Sequence, residues 1–130
     1  MQQQDADVVI PLPPPFVDDR GVIQNLVEGA FGSVIVITSR AGAIRANHYH
    51  KTDYHYCWMQ SGRVVYYNRP VESQSPLTER TIGPGEVFYT PPMEEHAMRF
   101  LEDSVMLCFA RNSRTMANYE ADTVRVPLIS

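Results

Sequence analysis

The stretch Gly42–Gly62, GAIRANHYHKTDYHYCWMQSG, decides how this chain is read. Three of the four histidines, His48, His50 and His55, stand within it. The fourth, His96, lies in a second stretch that runs from Gly83, GPGEVFYTPPMEEH. No histidine is left elsewhere. When all of a scarce, metal-liking residue type falls in two short segments, a shared site is the first hypothesis to weigh. Side chains of a strand alternate between faces, so His48 and His50 point the same way, with Tyr49 opposite. His55 follows a gap long enough to turn a corner, and His96 follows Pro91-Pro92 at the head of another strand. Four imidazoles converging on one interior suit a borderline divalent ion.

Working outward, the pattern is strand and turn throughout. Val8–Ile10 reads as a short strand, ended by Pro11, Pro13, Pro14 and Pro15, which forbid helix and supply no ladder donors. Asp18-Asp19-Arg20-Gly21 reads as a turn and Val22–Val27 as a strand. Further strands are expected over Ser33–Thr38, Ala43–His50, Tyr54–Gln60, Arg63–Tyr67, Val87–Thr90, His96–Phe100, Val105–Phe109 and Thr123–Ile129. Residues 68–78 read as a loop, and 112–119 carries at most one turn of helix. Many short strands at close spacing predict an all-β fold, a small antiparallel barrel of two sheets with little or no helix.

At 130 residues the chain suits a single domain, 1–130, with a polar, frayed start over residues 1–7 and a proline-flanked strand or arm over 8–16. A net charge of −4 argues against nucleic acid as a partner. No apolar run reaches the length of a membrane span, and the opening MQQQDADVV has no secretory pattern, so a cytoplasmic location is expected. Cys57 and Cys108 are therefore read as reduced, buried thiols.

The two histidine segments resemble the two motifs of the cupin superfamily. Gly42, His48, His50 and Gly62 fall at the spacings of the first motif, with His55 where the family usually has glutamate. Gly85, Pro91 and His96 match the second, in which Met93 and Phe100 depart from the family glycine and asparagine. The resemblance implies a jelly-roll barrel with one divalent transition metal ion, zinc, iron, nickel or copper, bound by His48, His50, His55 and His96. A fourth neutral imidazole in place of a carboxylate leaves the ion its full charge, a stronger Lewis acid towards a small oxygen-bearing substrate. An isomerase, cyclase or dioxygenase would fit.

A narrower likeness competes. Asp19-Arg20-Gly21 and the run Ile44–His50 are similar to the cupin branch of dTDP-sugar 3,5-epimerases and 3,4-ketoisomerases. That likeness implies His48 as a catalytic base beside Arg45, with Ala46 replacing a family glycine, and with a tyrosine returning the proton. Tyr49, Tyr54, Tyr56, Tyr66, Tyr67 and Tyr89 are available, and Tyr54 is carried forward as the candidate. Proton transfer next to a ketone requires no metal. A third reading, a non-enzymatic small-ligand binder, stays open because one fold hosts both. A homodimer is the family expectation, with the N-terminal strand as an exchangeable element.

Three smaller readings complete the sequence. The aromatics around Trp58 read as barrel packing. Met93, Met98 and Phe100 give the cavity an apolar side. Glu94 or Glu95 could orient a ligating imidazole, though both read more simply as solvated loop charges.

Overall fold

Period-two burial governs the chain. Along Ser104–Ala110 the residues alternate strictly between buried and half-buried, and His55, Cys57 and Met59 are buried while Tyr56 and Trp58 are half-buried. A segment patterned this way has one face for a core and one for the outside, which calls for two packed sheets. The computed structural model describes residues 8–130 and places them in that architecture. The frayed start expected over residues 1–7 lies outside the described residues.

The elements in chain order are β1 (Val9–Ile10), β2 (Phe16–Asp18), β3 (Gly21–Ile23), β4 (Ser33–Ser39), β5 (Ile44–His50), β6 (His55–Ser61), β7 (Val64–Pro70), β8 (Thr78–Ile82), β9 (Val87–Thr90), β10 (Glu94–Phe100), β11 (Ser104–Ala110), α1 (Met116–Asp122) and β12 (Thr123–Arg125). Sheet I has the order β1-β9-β6-β11-β4 and sheet II the order β12-β5-β10-β7-β8, with every pairing antiparallel. The result is the expected small jelly roll with one short helix. Between the sheets, Met59, Tyr66, Ile82, Phe88, Phe100 and Met106 are fully buried. The Tyr66 hydroxyl, which enters this core from sheet II, pairs with Thr90 Oγ1 of sheet I at 2.6 Å. A buried phenol without such a partner would be costly.

Several expected boundaries move, each for a visible reason. The strand expected over 22–27 shrinks to β3, because among the described residues β3 pairs with β2 alone and this hairpin has no third strand to extend against. The closing strand stops at Arg125, where the register with β5 ends. The helical turn lies later than expected, at Met116–Asp122. Asn112 and Arg114 are held by Asp53, and the Thr115 side chain caps the helix by accepting from the Asn118 amide.

The cysteines depart further from expectation. Cys57 and Cys108 are direct cross-strand partners in the β6–β11 ladder, with Cα atoms 4.2 Å apart, and they are joined as a disulfide instead of standing as separate thiols. Antiparallel register, which the sequence does not print, brought them face to face. Among the described residues no helix is long and apolar enough to cross a membrane.

Candidate active site

All four histidines meet between the sheets. His48 and His50 come from β5, His55 from the start of β6, and His96 from β10, directly opposite His48 in the ladder. A local distortion aims the first pair. Ala46 and Asn47 adopt φ of 71° and 57°, and the β5–β10 register shifts at that point. This is a bulge, which bends its strand and re-aims the side chains that follow. Asn47 is held there by the C-terminal segment: its side chain accepts from the amides of Leu128 and Ile129 and donates to the Ile129 carbonyl. Ala46 has no such compensation, and left-handed backbone is costly for a residue with a Cβ. Ala46→Gly is therefore expected to stabilise the protein by about 0.5–1 kcal/mol in chemical denaturation, net of glycine's entropy cost. A loss of stability would mean that contacts of the methyl group outweigh the backbone strain.

The imidazole ring centroids lie 4.7 Å (His48–His50), 4.8 Å (His48–His96), 5.6 Å (His55–His96) and 6.1 Å (His50–His55) apart. They line a cavity of about 220 Å³ whose floor is apolar, with Ile37, Met98, Met106 and the Cys57–Cys108 pair. Met98 alone of the three expected apolar residues lines it. Phe100 is in the core and Met93 sits 46% exposed at a turn.

Sequence reasoning missed the charged side chain that enters this cavity. Arg114, from the segment between β11 and α1, enters the cavity and donates from Nε to Asp53 at 2.8 Å and from Nη2 to His55 Nδ1 at 2.9 Å. Its Nη2 also approaches His50 Nε2 at 3.5 Å. A guanidinium only donates. His55 Nδ1 is therefore the acceptor, and the lone pair that could bind a metal is already engaged. His96 presents Nδ1 to the Glu94 carbonyl at 2.9 Å, which makes Nδ1 the protonated nitrogen and leaves Nε2 as its lone pair. The backbone carbonyl thus does what was considered for the carboxylates of Glu94 and Glu95. Those residues begin β10 and turn their side chains to Asn68 and Arg69.

Every histidine is neutral at neutral pH. Burial pushes His48 down to about 2, helped by His96, His50 and Arg114. Burial also takes His96 and His50 to about 4 and His55 well below the usual range, with Arg114 acting in the same direction on each. Tyr119 of α1 closes the cavity, its ring 6.1 Å from His48 and 5.6 Å from His50, with the Arg114 guanidinium 5.5 Å from its centre. Burial raises its phenol above the ordinary value.

The sequence candidates separate accordingly. His48, His50, His55 and His96 share one cavity, and Arg45 stands at its wall, with Nε on Ser39 Oγ at 2.8 Å and Nη2 on the Thr38 carbonyl at 2.9 Å. Tyr54 does not join them. It precedes His55 and so points to the opposite face, where it packs with Tyr56 and Tyr89 on the outside of sheet I. The tyrosine at the histidines is Tyr119. As a metal centre the cluster is partial: ligand nitrogens of His48, His50 and His96 lie within 4.8 Å of one another, and His55 is outside that group. The other arginines considered are also elsewhere. Arg20 pairs with Asp18, Arg63 with Glu102, and Arg99 donates to the Ser130 carbonyl.

A signal for Arg114 was present. A cation just before a helix N-terminus opposes the helix dipole, so such a residue needs a partner of its own. Here Asp53 provides it. Tyr119 had no comparable signal.

Comparison with protein-family models and with curated proteins returned no match. Solved structures do match. CapF, a capsular polysaccharide assembling protein from Staphylococcus aureus, is 26% identical, with a TM-score of 0.66 over 89% of this chain and 34% of that one. The chain therefore spans about a third of that protein's length. QdtA, a sugar 3,4-ketoisomerase from Thermoanaerobacterium thermosaccharolyticum determined with TDP, is 19% identical, with a TM-score of 0.69 over 86% of this chain and 82% of that one. The dTDP-4-dehydrorhamnose 3,5-epimerase from Elizabethkingia anophelis is 18% identical, with a TM-score of 0.70 over 84% and 70%. The chain shares the fold of these proteins, a small cupin-type jelly roll.

Proposed function

We propose that the protein is an epimerase or ketoisomerase of a nucleotide-linked deoxysugar that transfers protons next to a ketone. The observation that carries this reading is the charge of Arg114 inside the histidine cavity. Arg114 is paired with Asp53 at Nε, yet its Nη2 turns to the imidazoles, and a charged donor so placed opposes a dication there and favours an anion. Abstraction of a proton beside a carbonyl creates such an anion, an enolate whose charge gathers on oxygen. His48 is the base. It is neutral, it is the most accessible of the four at 7%, and the imidazoles of the other three each have a hydrogen-bond partner: the Glu94 carbonyl for His96, Arg114 for His55 and Thr123 for His50. Tyr119 stays protonated and can return a proton from another direction. Arg114 faces the enolate oxygen. The likeness to QdtA and the epimerases supports the substrate class. The cavity suits one sugar ring, leaving the nucleotide at the mouth near Arg45.

The test is exchange of solvent deuterium into TDP-4-keto-6-deoxyglucose, followed by proton NMR. Wild-type protein is expected to exchange a proton adjacent to the ketone. His48→Asn is expected to slow this by about 100- to 10,000-fold, the usual worth of a positioned base. Absence of exchange, together with no binding of TDP, would reject the reading.

A second reading retains the metal. His48, His50 and His96 form a three-imidazole group, and the Glu94 carbonyl orients His96 as a ligating histidine is usually oriented. Zinc, iron, nickel or copper would be the candidates, with His55 and Arg114 beside the ion. Elemental analysis of untagged protein decides. Stoichiometric metal that disappears from a His48→Ala/His50→Ala variant favours this second reading.

A further inference from the structure

We infer, resting on the proton-transfer reading above, that His55 is a specificity-determining residue: its Nε2–H takes the hydroxyl oxygen beside the ketone, so the site selects an α-hydroxy ketone over a plain ketone. A neutral imidazole carries one ring proton, and whatever engages one nitrogen decides what the other can do. His55 Nδ1 meets Arg114 Nη2 at 2.9 Å. The guanidinium only donates, so Nδ1 keeps its lone pair and the proton stands on Nε2. An imidazolium has no lone pair to offer, so the same contact holds the ring neutral. Asp53, 3% exposed, secures the arrangement by accepting from Arg114 Nε at 2.8 Å. His55 lines the cavity with Nδ1 engaged, and Nε2–H is the polar group it offers a ligand.

His50 and His96 are set the other way. The Thr123 hydroxyl donates its hydrogen to the Tyr119 carbonyl at 2.6 Å, so it faces His50 Nδ1, 3.3 Å away, as an acceptor. His50 is therefore protonated on Nδ1 and presents the lone pair of Nε2, as His96 does through the Glu94 carbonyl. A cavity of about 220 Å³ thus carries one set donor and two set acceptors, with the His55 ring 5.6 Å from His96 and 6.1 Å from His50. The two nitrogens of His55 point in diverging directions, so Arg114 and the His55 N–H serve different oxygens of one substrate. Arg114 faces the ketone oxygen, which only accepts. A hydroxyl on the next carbon accepts and donates at once. It can take the His55 N–H and give its own hydrogen to His50 or His96. A methylene there leaves those groups facing carbon, and unmet hydrogen bonds in a buried site are costly. The apolar floor of Ile37, Met98 and Met106 offers no replacement partner.

Deuterium exchange next to the ketone tests this with two substrates, TDP-4-keto-6-deoxyglucose and its 3-deoxy analogue. Wild type is expected to favour the hydroxylated sugar by about 100-fold or more in kcat/KM. His55→Leu is expected to bring that ratio below about 10-fold, and His55→Gln, which restores an N–H donor, to fall between. The ratio does not depend on how much of each variant is folded. Equal rates for the two sugars in wild type, or an undiminished ratio in His55→Leu, overturn the role of His55 and leave the proton-transfer reading standing. Exchange of neither sugar rejects that reading and this inference with it. Should the variants fail to fold, nitrogen–proton correlation NMR of the wild-type imidazoles decides. A proton on Nε2 of His55 and on Nδ1 of His50 and His96 supports the assignment, and a His55 protonated on Nδ1 overturns it.

Discussion

Arg114→Met is expected to destabilise the protein by about 3–5 kcal/mol, the cost of breaking a buried ion pair from one side. Asp53 is 3% exposed and Arg114 11%, so neither charge is relieved by solvent. Asp53 would keep the amide of Asn112 on Oδ1 and lose the Arg114 cation. The loss should appear as a lower midpoint in urea at an unchanged slope. Arg114→Lys should fall between, because an ammonium can restore the charge but not the fork that reaches Asp53 and His55 together. The same variant reports on the cavity. Arg114 depresses His50 and His55 electrostatically, so its removal should move both imidazoles upward, visible by NMR titration. A stability loss below about 1 kcal/mol would place the pair among weak surface bridges and remove it from the argument.

The second large effect is acid lability. His48, His50, His55 and His96 are all held below 6.5, chiefly by burial. An unfolded chain takes up protons on these residues as pH falls below 6.5, while the folded chain resists until about 4 for His50 and His96 and about 2 for His48. The stabilisation is thus complete above 6.5 and declines as pH falls through this window. Each histidine can contribute up to about 1.4 kcal/mol per pH unit there. Several acting together should consume a typical stability of about 5–15 kcal/mol before ordinary carboxylates protonate. Unfolding followed by Trp58 fluorescence is expected to have a midpoint between about pH 4 and 5, within the window those four shifts define. A midpoint controlled by carboxylates alone, below about pH 3.5, would show that the imidazoles are better solvated than their burial suggests.

How much of this was legible differs residue by residue. The placement of His48 and His50 on one face, with Tyr49 turned away, needed only the period of two in a strand. The same rule correctly sends Cys57 and Met59 inward from His55. Applied one residue earlier, it also sends Tyr54 outward, to the face where it packs with Tyr56 and Tyr89. The aromatics near Trp58 were read as barrel packing. They do pack, but on the outer face of sheet I.

The sequence by itself determined the strand pattern, the two-sheet barrel and the identity of the four histidines. Each of those follows from local spacing and from side-chain alternation. Only the tertiary structure decided what surrounds the histidines. Arg114 and Tyr119 approach from a segment 59 and more residues away along the chain from His55, and Cys108 meets Cys57 across 51 residues. No local period encodes such encounters. Strand register, a bulge at Ala46-Asn47 and the buried charge of Asp53 select them together. That is why the ligand-like spacing of the histidines could be read in advance, and why the destination of the cation that changes their chemistry could not.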